Sequence, residues 1–151
     1  MTHPTEKTPH PSEIIVHNAS RRLEVRYDDG ARFQLGFEYL RVYSPSAEVR
    51  GHGPGQEVLQ TDKRDVTITS VEPVGNYAIK PVFSDGHESG IYSWDYLYWL
   101  GEQHDTLWQD YLRRLAEAGA GRGGDAVAEA AADAVNDAPL QAVEARRRRE
   151  P

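Results

Sequence analysis

The chain has 151 residues and a net charge of −7, with 24 acidic residues against 17 basic ones. A nucleic-acid-binding surface needs a clustered basic face, so we expect no nucleic-acid partner. The chain has no cysteine, which excludes disulfides and any thiolate-bound zinc or iron–sulfur centre made by this chain alone. No apolar run approaches the roughly 18 residues of a transmembrane helix, and no secretory signal is visible. We therefore expect a cytoplasmic protein without membrane contact.

Composition divides the chain into three zones. Residues 1–12 contain three prolines and should form a flexible arm. Residues 13–118 contain most of the aromatic and branched apolar residues and should form one domain. Residues 119–151 are rich in Gly and Ala and include four consecutive arginines. Because this last zone offers few large apolar groups, we expect a mostly disordered tail.

The first half of the domain shows strand patterns. Residues 14–16 form a short apolar run, and residues 23–27 alternate apolar and polar in the manner of a half-buried strand. Residues 28–30 are Asp-Asp-Gly, a hairpin turn, and residues 31–35 alternate again. Residues 37–43 have near-helical apolar spacing, which predicts a short helix.

The second half begins with a stretch of little periodicity. Residues 44–62 contain three glycines and two prolines and should form a long loop. Strands are predicted around residues 66–71 and 77–83, with Pro73 and Gly75 breaking the chain between them. Up to residue 83 the predicted elements are therefore strands, with one short helix at residues 37–43 among them.

Two helices are predicted at the C-terminal end of the domain. Ser93 is a good N-cap for the first, since its hydroxyl can accept a free backbone N–H. The second follows Gly101 and places Leu107, Trp108 and Tyr111 on one face. The fold class is therefore α+β: a small antiparallel β-sheet domain with a short helix in the middle, two C-terminal helices and flexible tails at both ends.

Two segments resemble a known family. Residues 39–53 contain Leu40-Arg41 followed by Ser-Pro-Ser-Ala-Glu-Val, and residues 83–97 contain Asp-Gly-His followed by Tyr-Ser-Trp. Over about residues 12–104 the chain resembles a stand-alone bacterial domain of unknown function (DUF971 type). The same domain forms the N-terminus of γ-butyrobetaine hydroxylase-like proteins and the C-terminus of some Mrp-type iron–sulfur carrier ATPases.

The resemblance implies a zinc site in the hydroxylases, built from Cys-x-Cys-x-x-Cys and the histidine of the Asp-Gly-His turn. In this chain the three cysteine positions are Ser44, Ser46 and Val49, and the histidine is His87. A serine hydroxyl is a poor zinc ligand and valine is none, so the hydroxylase-type site should not form. No cofactor is expected beyond weak iron or zinc binding.

His87 is the central candidate and has three interpretations. It could be a turn histidine whose ring bonds nearby backbone or Asp85. It could instead form a weak iron or zinc site with His52 and a carboxylate such as Asp85, Glu48 or Glu88. As a third alternative it could contact a partner, since loop histidines often serve recognition.

The residues show no catalytic signature. A two-histidine, one-carboxylate iron site needs His-x-Asp or His-x-Glu, whereas His87 and His104 are followed by other patterns. The chain has no Gly-x-Ser-x-Gly element and no cysteine nucleophile. The glycine-rich residues 51–55 lack the Lys and Ser/Thr of a phosphate-binding loop. We therefore expect no enzyme activity.

These observations favour a non-catalytic accessory or protein-interaction domain. By the resemblance, its partner would be an iron–sulfur carrier or a client metabolic enzyme, which links the domain to iron–sulfur protein maturation or to metabolism. The alternative is a metal-handling module that uses His87 with nearby histidines and carboxylates. Exposed edge strands would permit a monomer or a weak dimer. The predicted partner-contact residues are Arg41, Ser44, Ser46, His87 and Trp99, the last because adjacent helical positions 98 and 99 cannot both face inward.

Overall fold

A computed structural model describes residues 9–51 and 57–123. The remainder of both predicted tails, and His52, lie outside these residues. The strands are β1 Pro11–His17, β2 Arg22–Tyr27, β3 Arg32–Gly36, β4 Ile68–Val74, β5 Ala78–Phe83 and β6 Tyr92–Ser93. The helices are α1 Phe37–Val42, α2 Ala47–Arg50, α3 Trp94–Glu102 and α4 His104–Ala118. None of the helices in the described ranges is both long and apolar enough to cross a membrane.

The strands form two antiparallel sheets, in the orders β1-β2-β3 and β4-β5-β6. The α+β class, the short middle helix and the two C-terminal helices are confirmed. The two predicted turns are present, and both depend on glycine, since Gly30 has φ 93° and Gly86 has φ 91°. The strands before and after α1 belong to different sheets, so α1 and the segment after it lie at the junction between the sheets.

The element boundaries differ from the sequence predictions in three places. Strand β1 begins at Pro11, which pairs with Tyr27, so it includes two residues of the predicted arm. Pro73 does not break the chain but lies within β4, an edge strand where a missing N–H is tolerated. The predicted loop over residues 44–62 contains α2, whose first turn is capped by the Ser46 hydroxyl.

One polar residue of β2 is buried against the expected alternation. The Glu24 carboxylate lies 2.8 Å from His17 Nε2 and accepts a hydrogen bond from Arg26 Nε at 2.7 Å. Burial would raise the pKa of Glu24, but the hydrogen bonds from Arg26 and His17 outweigh it and hold the pKa below its ordinary value. His17 and Arg26 thus provide hydrogen-bond partners for the buried Glu24 carboxylate on the first sheet.

Both sheets share one hydrophobic core with α1 and α3, and a smaller cluster of Val42, Tyr111 and Leu115 attaches α4 to α1. Helix α3 approaches β3 very closely at Gly101. A Cβ atom at this position would lie 2.3 Å from the Cγ atom of the Phe33 ring. Only glycine permits this distance, so the position of α3 on the first sheet depends on it.

Tyrosine hydroxyls fix the helices relative to one another. Each donates a hydrogen bond to a backbone carbonyl distant in sequence: Tyr39 to Leu100, Tyr43 to Leu107, Tyr92 to Leu40, Tyr96 to Tyr43 and Tyr111 to Gln60. Burial raises the pKa of Tyr39 and of Tyr92, so both stay protonated as donors. These bonds hold α3 and α4 against α1 and so set the position of the segment that follows α1.

Candidate functional site

The candidate site lies where the segment after α1 meets the turn after β5. In this turn, the backbone N–H of Phe83 donates to the carbonyl of His87 at 2.9 Å, and Gly86 takes the positive φ that the turn needs. Ser44 lies two residues after the end of α1, and its side chain is hydrogen-bonded to His87 of the turn. The two segments that carry the family resemblance therefore contact each other.

The centre of the site is a chain of three hydrogen-bonded side chains. Nε2 of His87 lies 2.8 Å from the Ser44 hydroxyl, and Nδ1 lies 2.8 Å from Oε1 of Glu48. Ser44 is 1% exposed and His87 is buried, whereas the Glu48 side chain is 69% exposed. The three residues, which we call the Ser–His–Glu cluster, thus lead from the interior to the surface.

Burial sets the protonation state of the cluster. Burial lowers the pKa of His87, and the nearby charge of Arg41 lowers it further. The hydrogen bond to Glu48, with the charges of Glu48 and Asp85, offsets this only in part. The ring is therefore neutral at neutral pH. Since a carboxylate can only accept, the ring proton is on Nδ1 toward Glu48, and Nε2 accepts from the Ser44 hydroxyl.

Asp85 lies in the same turn but is held by cations. Its Oδ2 accepts from Arg41 Nε at 3.0 Å and from Lys63 Nζ at 2.6 Å, while Oδ1 accepts from the backbone N–H of His87 at 3.3 Å. Burial would raise the pKa of Asp85, but the hydrogen bond from Lys63 and the charge of Arg41 outweigh it and lower the pKa. The carboxylate thus neutralises two cations at the base of the turn.

The remaining zinc-ligand positions of the hydroxylases are occupied by groups that do not fit zinc. The Ser46 hydroxyl lies 2.8 Å from that of Ser89, and the Ser46 backbone N–H donates to Ser44 Oγ at 3.3 Å. Val49 is buried one helical turn further on. Two hydroxyls, a valine and one imidazole are not a zinc donor set. Hydrogen bonds and apolar packing therefore do the structural work that the resemblance assigns to a metal.

The order of hydroxyl, imidazole and carboxylate is also that of a serine hydrolase triad. The surroundings differ, however, because Ser44 is almost completely buried. A Cβ atom at Gly90 would lie 2.4 Å from Ser44 Oγ, so the backbone at Gly90 packs directly against the hydroxyl. A substrate cannot reach the oxygen in this arrangement, and the carboxylate, not the serine, faces solvent. The geometry is that of a structural support.

A groove of about 830 Å³ lies beside the Ser–His–Glu cluster, and its lining includes Ser44 of the cluster and the nearby Val49. The Trp99 ring is partly exposed and stacks on Tyr96 with ring centres 5.8 Å apart. Val58, which also lines the groove, is 52% exposed. The other lining residues are Val42, Tyr43, Arg50, Gly51, Glu57, Asp110 and Arg114.

The structure corrects the predicted surroundings of His87. Its ring bonds Glu48 and Ser44 instead of nearby backbone or Asp85. Of the predicted metal set His87, His52 and Asp85, His52 lies outside the described residues, and Asp85 contacts only the backbone of His87. Within residues 9–51 and 57–123, no three His, Asp or Glu side chains are grouped so that they could hold a metal ion.

The predicted partner-contact residues divide into two groups. Arg41, Ser44, Ser46 and His87 are all buried, so direct contact between these side chains and a partner does not fit the structure. Trp99 is partly exposed and lines the groove. The sequence analysis names Glu48 beside His87 only as a possible metal ligand, and the direct Glu48–His87 bond was not predicted. Val58 was also missed, although the apolar pair Val58-Leu59 in a polar stretch was a usable signal.

Comparison with known proteins agrees with the resemblance. The fold and the site define a class of small α+β domain in which a Leu-Arg segment contacts an Asp-Gly-His turn. Residues 14–98 match the model of the family Gamma-butyrobetaine hydroxylase-like, N-terminal. The match spans more than half of the chain, which therefore belongs to that family.

Several solved structures are similar to this chain. One NMR solution structure is 50% identical with a TM-score of 0.68, covering 78% of this chain and 93% of that chain. A second is 48% identical with a TM-score of 0.70, covering 82% and 92%. A crystal structure of a DUF971 family protein of unknown function from Acidithiobacillus ferrooxidans ATCC 23270 is 39% identical with a TM-score of 0.52, covering 61% and 92%. No curated protein matches.

Proposed function

We propose that this chain is a non-catalytic accessory domain that binds a cytoplasmic partner protein in the groove beside the Ser–His–Glu cluster. The observation that carries the proposal is the partly exposed Trp99, stacked on Tyr96, next to the exposed Val58. The few residues that dominate the binding energy of protein interfaces are enriched in Trp, Tyr and Arg. Arg50 lies over the Tyr96 ring at 5.1 Å and completes such a set.

The chemistry of the groove favours a protein segment as the occupant. Its lining is mostly apolar and aromatic and carries both signs of charge, from Arg50, Arg114, Glu57 and Asp110. A lining of mixed charge does not select a polyanion such as a nucleic acid. It suits an apolar side chain surrounded by polar groups, the usual pattern of a protein interface.

The class of partner follows from the resemblance. Domains of this type occur in the same chain as hydroxylases and as iron–sulfur carrier ATPases, so an iron–sulfur carrier or a client metabolic enzyme is the proposed partner. A domain that is covalently linked to its partner in some proteins can bind the same partner as a separate chain in others. The separate chain then lacks the high effective concentration that the covalent link provides.

The buried residues support the groove from behind. Ser44 and Val49 belong to its wall and are held by the hydrogen bonds of His87, Glu48 and Ser46. A wall fixed before binding loses less entropy when the partner binds. In this proposal Arg41, Ser44, Ser46 and His87 act on the partner through the shape of the groove.

Affinity capture with two matched variants tests the proposal. Val58→Asp places a charge in the groove, and Ile91→Asp places the same charge on a β-branched residue that is 47% exposed and lines none of the groove. A protein that is captured by the wild type and by Ile91→Asp, but not by Val58→Asp, is then purified. Calorimetry should show direct binding that Trp99→Ala weakens by about tenfold or more.

Two results would overturn the proposal. One is that every captured protein binds Val58→Asp as well as it binds Ile91→Asp. The other is metal binding: elemental analysis that finds stoichiometric iron or zinc, lost on His87→Gln, would favour the metal-handling alternative instead. Titration of the purified chain with Fe(II) and Zn(II) distinguishes the two functions directly.

A further inference from the structure

The two arginines of the groove differ in their partners. Nε of Arg114 lies 3.2 Å from Oδ2 of Asp110, and its Nη2 donates to the Tyr43 hydroxyl at 3.2 Å. Arg50, by contrast, is exposed, and it forms no ion pair with a carboxylate among the residues that the structure describes. Its guanidinium is therefore available to a carboxylate of a partner.

The fold fixes the position of Arg50. It is the last residue of α2, and the backbone N–H of Val58 donates to the carbonyl of Val49 just before it at 2.8 Å. The guanidinium lies over the Tyr96 ring, 5.1 Å from its centre. That ring is buried, and its hydroxyl donates to the carbonyl of Tyr43 at 2.6 Å. A guanidinium that lies over an aromatic ring still presents the N–H groups at its edge to an oxygen pair.

The same ring places the charge beside the apolar contact. Trp99 stacks on Tyr96 with ring centres 5.8 Å apart, so Arg50 and Trp99 both contact one ring. Arg50 and Trp99 are therefore separated by at most roughly three residues of extended chain. Glu57 is exposed and also lines the groove, and its charge disfavours a run of acidic residues. A single carboxylate close to an apolar side chain fits this arrangement.

We propose that the groove binds a segment of the partner protein in which one Asp or Glu lies within about three residues of an aromatic or large aliphatic residue. This inference rests on the proposed function and names the chemistry of its partner. The apolar side chain contacts Trp99 and Val58, and the carboxylate accepts hydrogen bonds from Arg50. The apolar contact supplies most of the affinity, whereas the charge mainly sets the specificity.

Peptide display tests the proposal. A library of random short peptides is selected on the full chain and depleted on Trp99→Ala, which removes the apolar contact without adding a charge. The selection is repeated on Arg50→Gln and on the control Arg32→Gln, whose side chain is 59% exposed and lies outside the groove. Circular dichroism checks that each variant is folded, and Val58→Ser replaces Trp99→Ala if the latter is not.

Peptides selected on the wild type and on Arg32→Gln should combine one acidic residue with an apolar one at this spacing. Selection on Arg50→Gln should retain the apolar residue and lose the acidic preference. A selected peptide whose acidic residue is changed to the amide should bind the wild type about fivefold more weakly in calorimetry. The same change should not alter binding to Arg50→Gln, because the interaction is already lost there.

The outcomes separate this inference from the proposed function. A library that yields no peptide dependent on Trp99 contradicts both the groove and the carboxylate contact. Peptides that depend on Trp99 but show no acidic preference, or that keep this preference on Arg50→Gln, refute the carboxylate contact alone. If Arg50→Gln is unfolded, the amide peptide decides, because its measurement needs only the wild-type chain.

Discussion

The imidazole of His87 and the hydroxyl of Ser44, 43 residues apart in the chain, are joined by a 2.8 Å hydrogen bond inside the protein. Both occupy positions that the family resemblance assigns to zinc ligands. A neutral hydrogen bond can replace a metal here because both groups are buried and the ring nitrogens have partners on each side. This contact connects the two segments by which the family is recognised.

The first prediction concerns the pH dependence of stability. The pKa of His87 in the folded state lies below its ordinary value of 6.5, so the unfolded chain takes up the proton more readily. The contribution of His87 is complete above pH 6.5 and is lost as the pH falls from there through the folded-state pKa. Urea unfolding between pH 7.5 and about 5 should therefore show a falling free energy of unfolding.

Two variants isolate this effect. His87→Gln cannot take up a proton and should give a flatter profile over the same pH range. His104→Gln leaves the Ser–His–Glu cluster intact and should keep the wild-type profile. A wild-type profile for His87→Gln would show that another group causes the pH dependence.

The second prediction concerns the close approach of α3 to β3. Gly101→Ala places a methyl group against the Phe33 ring and should destabilise the protein by about 1–3 kcal/mol. Gly36→Ala is the control, because Gly36 has φ −61° and no atom lies within 4 Å of its Cβ position. It should be neutral or stabilise by about 0.4–1 kcal/mol. Thermal unfolding of both variants is the measurement, and equal effects would contradict the close packing of Gly101 against Phe33.

The third prediction concerns a tyrosine that caps a helix end. Leu100 is among the last residues of α3, where carbonyls lack partners within the helix, and the Tyr39 hydroxyl donates to it at 2.7 Å. Tyr39→Phe should cost roughly 1–3 kcal/mol, because a buried carbonyl loses its donor. Tyr77→Phe, at a side chain that is 55% exposed, should have little effect in the same denaturant titration.

The fourth prediction concerns the segment after α4. Arg122→Ala removes the ion pair with Glu38, which is buried, and should destabilise by about 1.5–3 kcal/mol. Arg113→Ala removes surface ion pairs to Asp110 and Glu117 and should have little effect. Calorimetric unfolding compares the two.

A double variant and a truncation extend this test. Arg122→Ala with Glu38→Ala should recover part of the loss, since no unpaired charge stays buried. A chain ending at residue 118, the predicted domain boundary, should be less stable than one ending at residue 123. The longer chain retains the backbone bonds from Asp62 to Gly121 and from Arg64 to Arg122. Equal stability of the two would show that the segment contributes nothing.

By itself the sequence determined the α+β class, the hairpin turns at Gly30 and Gly86, the cap at Ser93 and the family. These features are local, because periodicity, turn residues and caps act over a few positions. The sequence also showed that the zinc ligands of the hydroxylases are missing, since this needs only the identity of three residues.

Only the tertiary structure decided what His87 contacts, which candidate residues are buried and which ion pair holds the segment after α4. Each of these depends on side chains far apart in sequence, such as Glu38 and Arg122, which are 84 positions apart. Burial also bears on the proposed function, because it places Ser44 and His87 behind the groove and leaves Trp99 and Val58 at its surface. Packing between distant segments sets burial, and no local pattern encodes it.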